Sequence, residues 1–353
     1  MLTALIAAAF SAQTPFQPIN HLPMPPESSD FVFVALGDNR PAGSGQPPTA
    51  VFKRILTEVG WIHPAFVISS GDLIYGNDES LDLYRKECAA IKPLLAAVGV
   101  PFYNAPGNHE IDGKADFQAE YTKELGAMYG SFDYGGCRFI ALATDQADAT
   151  AKYTPEELAW LDKALADKKP AFVYQHRPVF ARPVKNPEDG ATVEDGPAVA
   201  ANFTANNVRA VFEGHDHVFN HQTHDGVEYY IAGGAGAPLD AAPEDGGFFH
   251  YILVHVKDGK VADVTVAPLG SVDLMQNGSD IRVSSYVDAD IELGNLVVSW
   301  PTKPASVTAA YDKKGKMNEV EARIVSAEKS GNGYLVHLAL PLKKHRQTII
   351  HLN

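Results

Sequence analysis

Between residues 31 and 268, short apolar runs alternate with stretches of helical period. The runs at 31–36, 65–69, 101–104, 131–134, 138–143, 171–175, 208–212, 228–232, 249–257 and 261–267 have the length of strands and are set off by turn-forming residues. Helical period covers 49–59, 80–98, 114–125 and 155–166. The last of these opens on Thr154 as N-cap, with Pro155 at the first helical position and Glu156 and Glu157 in the first turn, where free N–H groups favour negative charge. Early strand–helix alternation, followed by a hairpin pattern around Asp258-Gly259, predicts a mixed α/β sandwich over residues 30–270. Past residue 272 the helical period disappears. The segments "DIRVSS", "NLVVSW", "ASVTAAYD", "EVEARIVSA", "GYLVHLAL" and "QTIIHL" alternate apolar and polar positions and are split by Gly, Pro, Asn and Lys. That pattern predicts a small all-β sandwich over 271–353. There is no internal repeat and no low-complexity tract.

A chain of 353 residues has room for one large core and a second unit, because single cores stop growing near roughly 250–300 residues. No interior apolar run reaches about 18 residues, so no membrane span is expected. The net charge of −14 argues against a protein that grips a long nucleic acid, whose phosphates require dense Lys and Arg. The acidity is also uneven: from Val272 onward there are 10 Lys/Arg against 9 Asp/Glu, so the excess negative charge lies before that point. Any recognition of phosphate must therefore be local and concentrated.

The N-terminal "MLTALIAAAFSAQ" is apolar and ends in small residues, and residues 1–12 read as a signal segment cleaved near Ala12, although a basic flank is missing. Residues 13–29 follow as an extended Pro-rich linker. A secreted or periplasmic location is the corresponding expectation. Cys88 and Cys137 admit either a disulfide in an oxidising compartment or two buried thiols, with the second as the default.

Candidate chemistry lies where strands end. "FVFVALG" delivers Asp38, Asn39 and Arg40 into a Gly/Pro-rich loop, and "FVISSGDLIYGND" repeats the device with Asp72 and, three residues on, Tyr75. "FYNAPGNHEIDG" presents Asn108, His109 and Glu110; "AFVYQHRPVF" presents His176; "VRAVFEGHDHVFNH" presents His215 and His217. Singly, each residue has an ordinary explanation as a turn former, a cap or a core histidine. Together, oxygen and imidazole donors at five successive strand ends of one sheet form a metal-ligand pattern.

With these motifs in this order (G-D at 37–38, G-D-L-I-Y at 71–75, G-N-H-E at 107–110, Q-H at 175–176 and G-H-D-H at 214–217) the sequence resembles the calcineurin-like metallophosphoesterase superfamily over residues 31–268. The resemblance implies a four-layer αββα sandwich and a dinuclear metal site. Many members carry a metal-binding histidine where this chain has Arg40, whereas the tyrosine of G-D-x-x-Y is similar to the purple acid phosphatase branch. What it implies for this chain is one ion held by Asp38, Asp72, Tyr75 and His217, and a second held by Asp72, Asn108, His176 and His215, with Asp72 bridging. A phenolate and two carboxylates suit Fe(III), while imidazoles and an amide oxygen suit Zn(II), Fe(II) or Mn(II). Three anionic ligands leave such a pair at about +2, a positive focus within an acidic protein.

The implied activity is hydrolysis of a phosphomonoester, either a small ester or a phosphorylated side chain, by in-line attack of a metal-bound hydroxide between ions about 3.5–4 Å apart. A phosphodiesterase or nucleotide hydrolase would use the same site. A metal-stabilised binding protein with little turnover, working through its C-terminal sandwich on a glycan or protein surface, is the alternative from another class. His109 is expected to stabilise the transition state or protonate the leaving group, oriented by Asp72 or Glu110, or else to hold Asp72. Arg40 is expected either to contact a phosphate oxygen or to form a surface ion pair. Purple acid phosphatases carry a further histidine after the ligand matching His176. None occurs in "HRPVFARPVKNPEDG", so Arg177, Arg182 or Lys185 is expected to supply positive charge. His221 and His224 read as loop or supporting residues, and loops 40–48, 181–197 and 233–247 as walls of the substrate pocket. The oligomeric state is not legible.

Overall fold

The computed structural model describes residues 16–76, 80–111, 113–183 and 192–353. The expected signal segment and Lys185 lie outside those residues. In chain order the first part of the fold contains β1 (Asp30–Leu36), α1 (Ala50–Ile62), β2 (Val67–Ser69), α2 (Leu81–Ala97), β3 (Phe102–Asn104), α3 (Asn108–Ile111) and α4 (Ala115–Glu124). There follow β4 (Gly130–Tyr134), β5 (Cys137–Ala141), α5 (Pro155–Leu165), β6 (Ala171–Tyr174), α6 (Gly196–Ala205), β7 (Val208–Glu213), β8 (Phe219–His224), β9 (Val227–Ala232), β10 (His250–Lys257) and β11 (Lys260–Pro268). Thr49, Ser80 and Thr154 cap α1, α2 and α5 with their side-chain oxygens, which fixes where these helices begin.

Two sheets form the middle of a four-layer αββα sandwich, in agreement with the expected fold. One has the order β11-β10-β1-β2-β3 and the other β4-β5-β6-β7-β9-β8. Their inner faces meet through aromatic side chains: Phe33 packs edge-on against Phe139, Phe172 and Phe212 at 5.3, 5.5 and 5.6 Å. α1 and α2 cover the outer face of the first sheet, and α5 and α6 that of the second. β1, β2 and β3 run parallel, as do β5, β6, β7 and β9. Every loop that leaves the C-terminal end of these strands therefore opens on one side of the molecule, the usual position for a ligand site in a parallel sheet.

Three elements depart from the sequence expectation. β8, "FNHQTH", is an edge strand without apolar alternation, held only by β9. α6 begins on Gly196-Pro197 with no side-chain cap, and α3 is a single turn that contains Asn108, His109 and Glu110 of the G-N-H-E motif. Residues 16–29 are extended but tied down: Phe16 stacks on Tyr103 at 6.0 Å, and Asn20 donates to the carbonyls of Leu95 (3.0 Å) and Val100 (2.8 Å).

The C-terminal strands are β12 (Val272–Asn277), β13 (Asp280–Ser285), β14 (Ile291–Trp300), β15 (Val307–Lys313), β16 (Lys316–Val320), β17 (Arg323–Ser330), β18 (Gly333–Leu342) and β19 (Gln347–Leu352). They form a five-stranded sheet, β12-β13-β19-β15-β16, and a three-stranded sheet, β14-β18-β17. "EVEARIVSA" is thus two strands in different sheets rather than one. This unit shares a continuous apolar core with α1: Leu293, Leu296 and Leu338 belong to the same cluster as Phe52, Ile55 and Val59. Gly294 sits so close to the end of α1 that a Cβ there would lie 2.9 Å from Cβ of His63.

Cys88 and Cys137 are both buried free thiols, one in the core beneath α2 and the other between the two sheets, so the disulfide alternative does not apply. Among the described residues no helix is long and apolar enough to cross a membrane.

Candidate metal centre

Five strand ends bring their polar residues together, not from one sheet as expected but from two: β1, β2 and β3 of the first and β6 and β7 of the second, whose inner faces pack on each other. Asp38, Asp72 and His215 each adopt a left-handed backbone, with φ of 57°, 55° and 70°. For non-glycine residues this conformation costs on the order of 1 kcal/mol each, a strain found where a side chain must be turned back over the strand it follows. The glycines of the motifs make room for the turned side chains. A Cβ on Gly107 would lie 2.1 Å from Oδ1 of Asp72, and one on Gly214 would lie 2.4 Å from Oδ2 of Asp38.

The ligand set expected for the second ion converges. Nε2 of His176 lies 2.8 Å from Oδ1 of Asn108 and 3.5 Å from Oδ1 of Asp72. Nδ1 of His215 lies 2.9 Å from the same Asn108 oxygen and 3.2 Å from Nε2 of His176. Nδ1 of His176 donates to the Ser70 carbonyl at 2.9 Å, so in the neutral ring Nε2 presents a lone pair. Lone pairs of His176, Asn108 and Asp72 thus face one another, and the proton they are offered is that on Nδ1 of neutral His215, so a cation that replaces this proton fits the donor set. Beside it, one ligand atom each from Asp38, Asp72 and His217 lies within 4.8 Å of the others. Nε2 of His217 is 3.6 Å from Oδ1 of Asp38, while its Nδ1 donates to the Pro238 carbonyl at 2.7 Å. Asp72 belongs to both groups.

Electrostatics express the same need for positive charge. Burial, reinforced by the neighbouring Asp72, holds the Asp38 carboxyl well above its usual range. Asp72 is equally buried, but the imidazoles of His176 and His109 and the Arg40 guanidinium keep it low. Burial pulls His217 down, yet Asp240 and Asp38 outweigh it and hold its pKa at about 9. Burial drives His215 to about 2, with His176 and Arg177 adding to the shift, and burial also lowers His176.

Tyr75 contributes a ring rather than a polar contact. Its centroid is 5.1 Å from the His109 ring and 5.8 Å from the Arg40 guanidinium carbon, and its hydroxyl makes no hydrogen bond among the described residues. The ring of His109 is oriented through Nδ1 by the Tyr75 carbonyl, not by Asp72 or Glu110, while its backbone N–H donates to Oδ1 of Asp72 at 3.2 Å. Glu110 has a different task. Its buried carboxylate accepts from the backbone N–H groups of Asp72 (3.0 Å), Leu73 (2.5 Å), Ile74 (3.2 Å) and Gly107 (2.8 Å), clamping two ligand loops together. Burial and the nearby Asp72 raise it to about 8 in spite of those donors.

Three arginines border the centre. Arg40 is mostly buried and pairs with Oδ2 of Asp72 at 3.3 Å, so its ion pair is made with an expected ligand and not on the surface. Arg177 is held by Asp145 through Nε (2.8 and 3.0 Å) and donates from Nη1 to Nε2 of His215 at 3.0 Å. Arg182 pairs with Asp216 at 2.9 Å. His221 bonds Glu228 at 2.6 Å and His224 stacks on Phe180, both on β8. Asp145 and Asp240, which orient Arg177 and His217, were not singled out from the sequence. Asp145 follows the strand-like run "CRFIALAT", the same signal that marked the ligands, whereas Asp240 stands in a loop and carries no such signal.

Comparison with known proteins agrees with this geometry. A family model described as calcineurin-like phosphoesterase matches residues 25–219. Serine/threonine-protein phosphatase CPPED1 of Rattus norvegicus is 27% identical over 191 residues, which cover 50% of this chain and 61% of that protein. The Mus musculus protein of the same name is 26% identical over 197 residues, again covering 50% of this chain and 61% of the relative. The chain thus spans less than two thirds of the length of the curated relatives it matches. A dimetal phosphatase from Danio rerio superposes with a TM-score of 0.51 over 67% of this chain and 95% of that one, at 14% identity, a likeness of fold.

Proposed function

The chain belongs to the calcineurin-like phosphoesterase family, whose members act on phosphate esters, and from that premise we propose that it is a dinuclear-metal phosphomonoesterase similar to the purple acid phosphatase branch. The observation that carries the reading is the convergence of Asp72, Asn108, His176 and His215 on one point, beside a second cluster of Asp38, Asp72 and His217. In this reading Asp38, Asp72, Tyr75 and His217 hold Fe(III), and Asp72, Asn108, His176 and His215 hold Zn(II), Fe(II) or Mn(II). When bound, the two ions supply the charge that activates water and neutralises the phosphoryl oxygens.

The protein's own residues do the rest. Arg40 and Arg177 add two positive charges beside the proposed ligands, which favours the dianion of a monoester over the monoanion of a diester. His109 has Nδ1 committed to the Tyr75 carbonyl, which leaves Nε2 as the nitrogen able to pass a proton to a leaving alkoxide. Phosphoserine and phosphothreonine side chains present such a dianion, and the name of the rat and mouse relatives supports that class of substrate.

Parallel assays with the monoester and the diester of one phenol test the proposal. Turnover of the monoester is expected to exceed that of the diester; turnover of the diester alone would replace this reading with a phosphodiesterase. Absence of both, with metal bound, would favour a binding protein.

A further inference from the structure

We propose that the C-terminal sandwich carries a binding site for a neutral saccharide, in a cleft of about 730 Å³ at one end of the sandwich. The β12–β13 turn, the end of β14 and the β17–β18 turn meet there. Trp300 and Tyr334 line it from directly paired positions of β14 and β18, so both side chains stand on one face of the sheet. Both are partly exposed: each packs one side against the apolar core of the sandwich, makes no ring contact with the other among the described residues, and turns its remaining surface to the cleft.

The chemistry of the lining narrows the ligand. Although 20% of the chain is charged, no charged residue and no histidine lines this cleft, so neither a cation nor an anion finds a counter-charge there. What remains is two aromatic faces with neutral hydrogen-bonding groups on Asn332, Ser279 and Ser330. The amide of Gln276 is spent on the backbone of Ser299, which sets the cleft wall and leaves the other groups for a ligand. A pyranose offers the matching surface: C–H faces that pack on aromatic rings, and hydroxyls that both donate and accept.

A second observation places the interaction surface on this unit. All five exposed large hydrophobic residues among the described residues, Met275, Tyr286, Met317, Val325 and Leu335, lie in the C-terminal sandwich, and Leu335 lines the cleft. A sandwich fixed to the catalytic fold by a shared core would hold the phosphoesterase site at a glycan-bearing surface and raise the local concentration of esters there.

The test uses the full chain and neutral hexasaccharides of cello-, xylo-, manno-, laminari- and chito- type, followed by calorimetry and by tryptophan fluorescence, with polygalacturonate as the anionic control. At least one neutral hexasaccharide is expected to bind and to shift the emission. Trp300→Ala and, separately, Tyr334→Ala are expected to weaken that binding about tenfold or more, the scale of one lost aromatic contact, with turnover of a small soluble phosphate ester unchanged. Asn332→Ala, on an exposed turn, gives a variant whose folding is not in doubt and is expected to weaken binding several-fold. Failure of all five saccharides to bind, equal binding by Trp300→Ala and the parent, or preference for polygalacturonate would each overturn the proposal. So would a self-associated parent that Trp300→Ala converts to monomer, which would make the cleft a protein interface. Loss of saccharide binding with intact ester hydrolysis keeps this inference separate from the catalytic one.

Discussion

Nη1 of Arg177 donates to Nε2 of His215 across 3.0 Å, so a guanidinium stands where histidine ligands more often find a carboxylate or a carbonyl. A carboxylate partner raises the basicity of a ligating imidazole, and a cation lowers it. In the proposed centre Arg177 would therefore weaken the second metal position while adding positive charge for a phosphate, with Asp145 holding it in place.

Arg177→Gln should accordingly bind the second ion more tightly and the substrate more weakly. A unit charge roughly 7 Å from a divalent cation costs about 5 kcal/mol at an effective dielectric constant of about 20, and because Asp145 offsets much of that charge, chelator competition should show metal binding tighter by about tenfold or more. KM for a phosphomonoester should rise in the same protein. Weaker metal binding in Arg177→Gln would mean that the arginine anchors His215 and does not oppose the ion.

Asn108 gives its one oxygen to both His176 and His215, at 2.8 and 2.9 Å. Asn108→Ala should leave the Asp38–Asp72–His217 cluster intact and empty the other position. Metal analysis should find about one ion lost per chain, and turnover should fall at least about tenfold, since even supporting residues of metal sites cost 10–100-fold. Unaltered turnover would favour the binding-protein reading.

If Tyr75 holds Fe(III) as proposed, its phenolate makes the protein coloured. Its visible band should vanish in Tyr75→Phe, while the positions built on Asn108 remain filled. Colourless, iron-free and active protein would remove Tyr75 from the ligand set and point to Zn or Mn in both positions.

The metal-free protein should have a distinctive pH profile. His217 titrates at about 9 in the fold against a reference of 6.5, held up by Asp240 and Asp38 against its burial. The folded state thus binds a proton that the unfolded state has released. That contribution is complete below about pH 6.5 and fades as pH rises to about 9, a loss of up to about 3 kcal/mol. Asp38, also raised by burial, acts in the same direction. Chelator-treated protein should therefore melt at progressively lower temperature between pH 6.5 and 9, and His217→Gln should flatten the profile. Metal-loaded protein should not follow it, because the ion must displace that proton.

The residues that converge in the proposed centre stood out in the sequence by a local signal: Asp38, Asp72, Asn108 and His215 each follow a glycine past an apolar strand, and His176 follows Gln175 at a strand end. The partners that orient them did not. Glu110 binds N–H groups at 72–74, Asp240 lies beyond two strands from His217, and Asp145 reaches Arg177 across a helix. Such pairings are set by topology, which a single sequence does not display. Local periodicity likewise failed where the neighbour supplies the order: β8 is a strand because β9 pairs with it, and "EVEARIVSA" splits because β16 and β17 have different partners. Arg40 was visible, but its burial against Asp72 required the β1 and β2 loops to be side by side.

Glu58 gives the most direct test of how the two parts of the chain are joined. Buried on α1, it accepts from the backbone N–H groups of Gly270 (2.8 Å) and Val272 (3.1 Å), where the chain enters the C-terminal sandwich. It also accepts from the hydroxyl of Tyr251 (3.2 Å) and from Nε of Arg54 (3.0 Å), and Nη2 of Arg54 donates to the Val272 carbonyl at 2.7 Å. Glu58→Ala strips four donors of their acceptor in a site that water reaches poorly, each worth about 1–3 kcal/mol when left unsatisfied. Partial relaxation and hydration of Arg54 should bring the total to about 3–5 kcal/mol, measured by chemical denaturation. If the junction is a single cooperative unit, both parts should unfold together at the lower midpoint. Two separate transitions in Glu58→Ala would show that the shared apolar core beneath α1 does not couple them without this carboxylate.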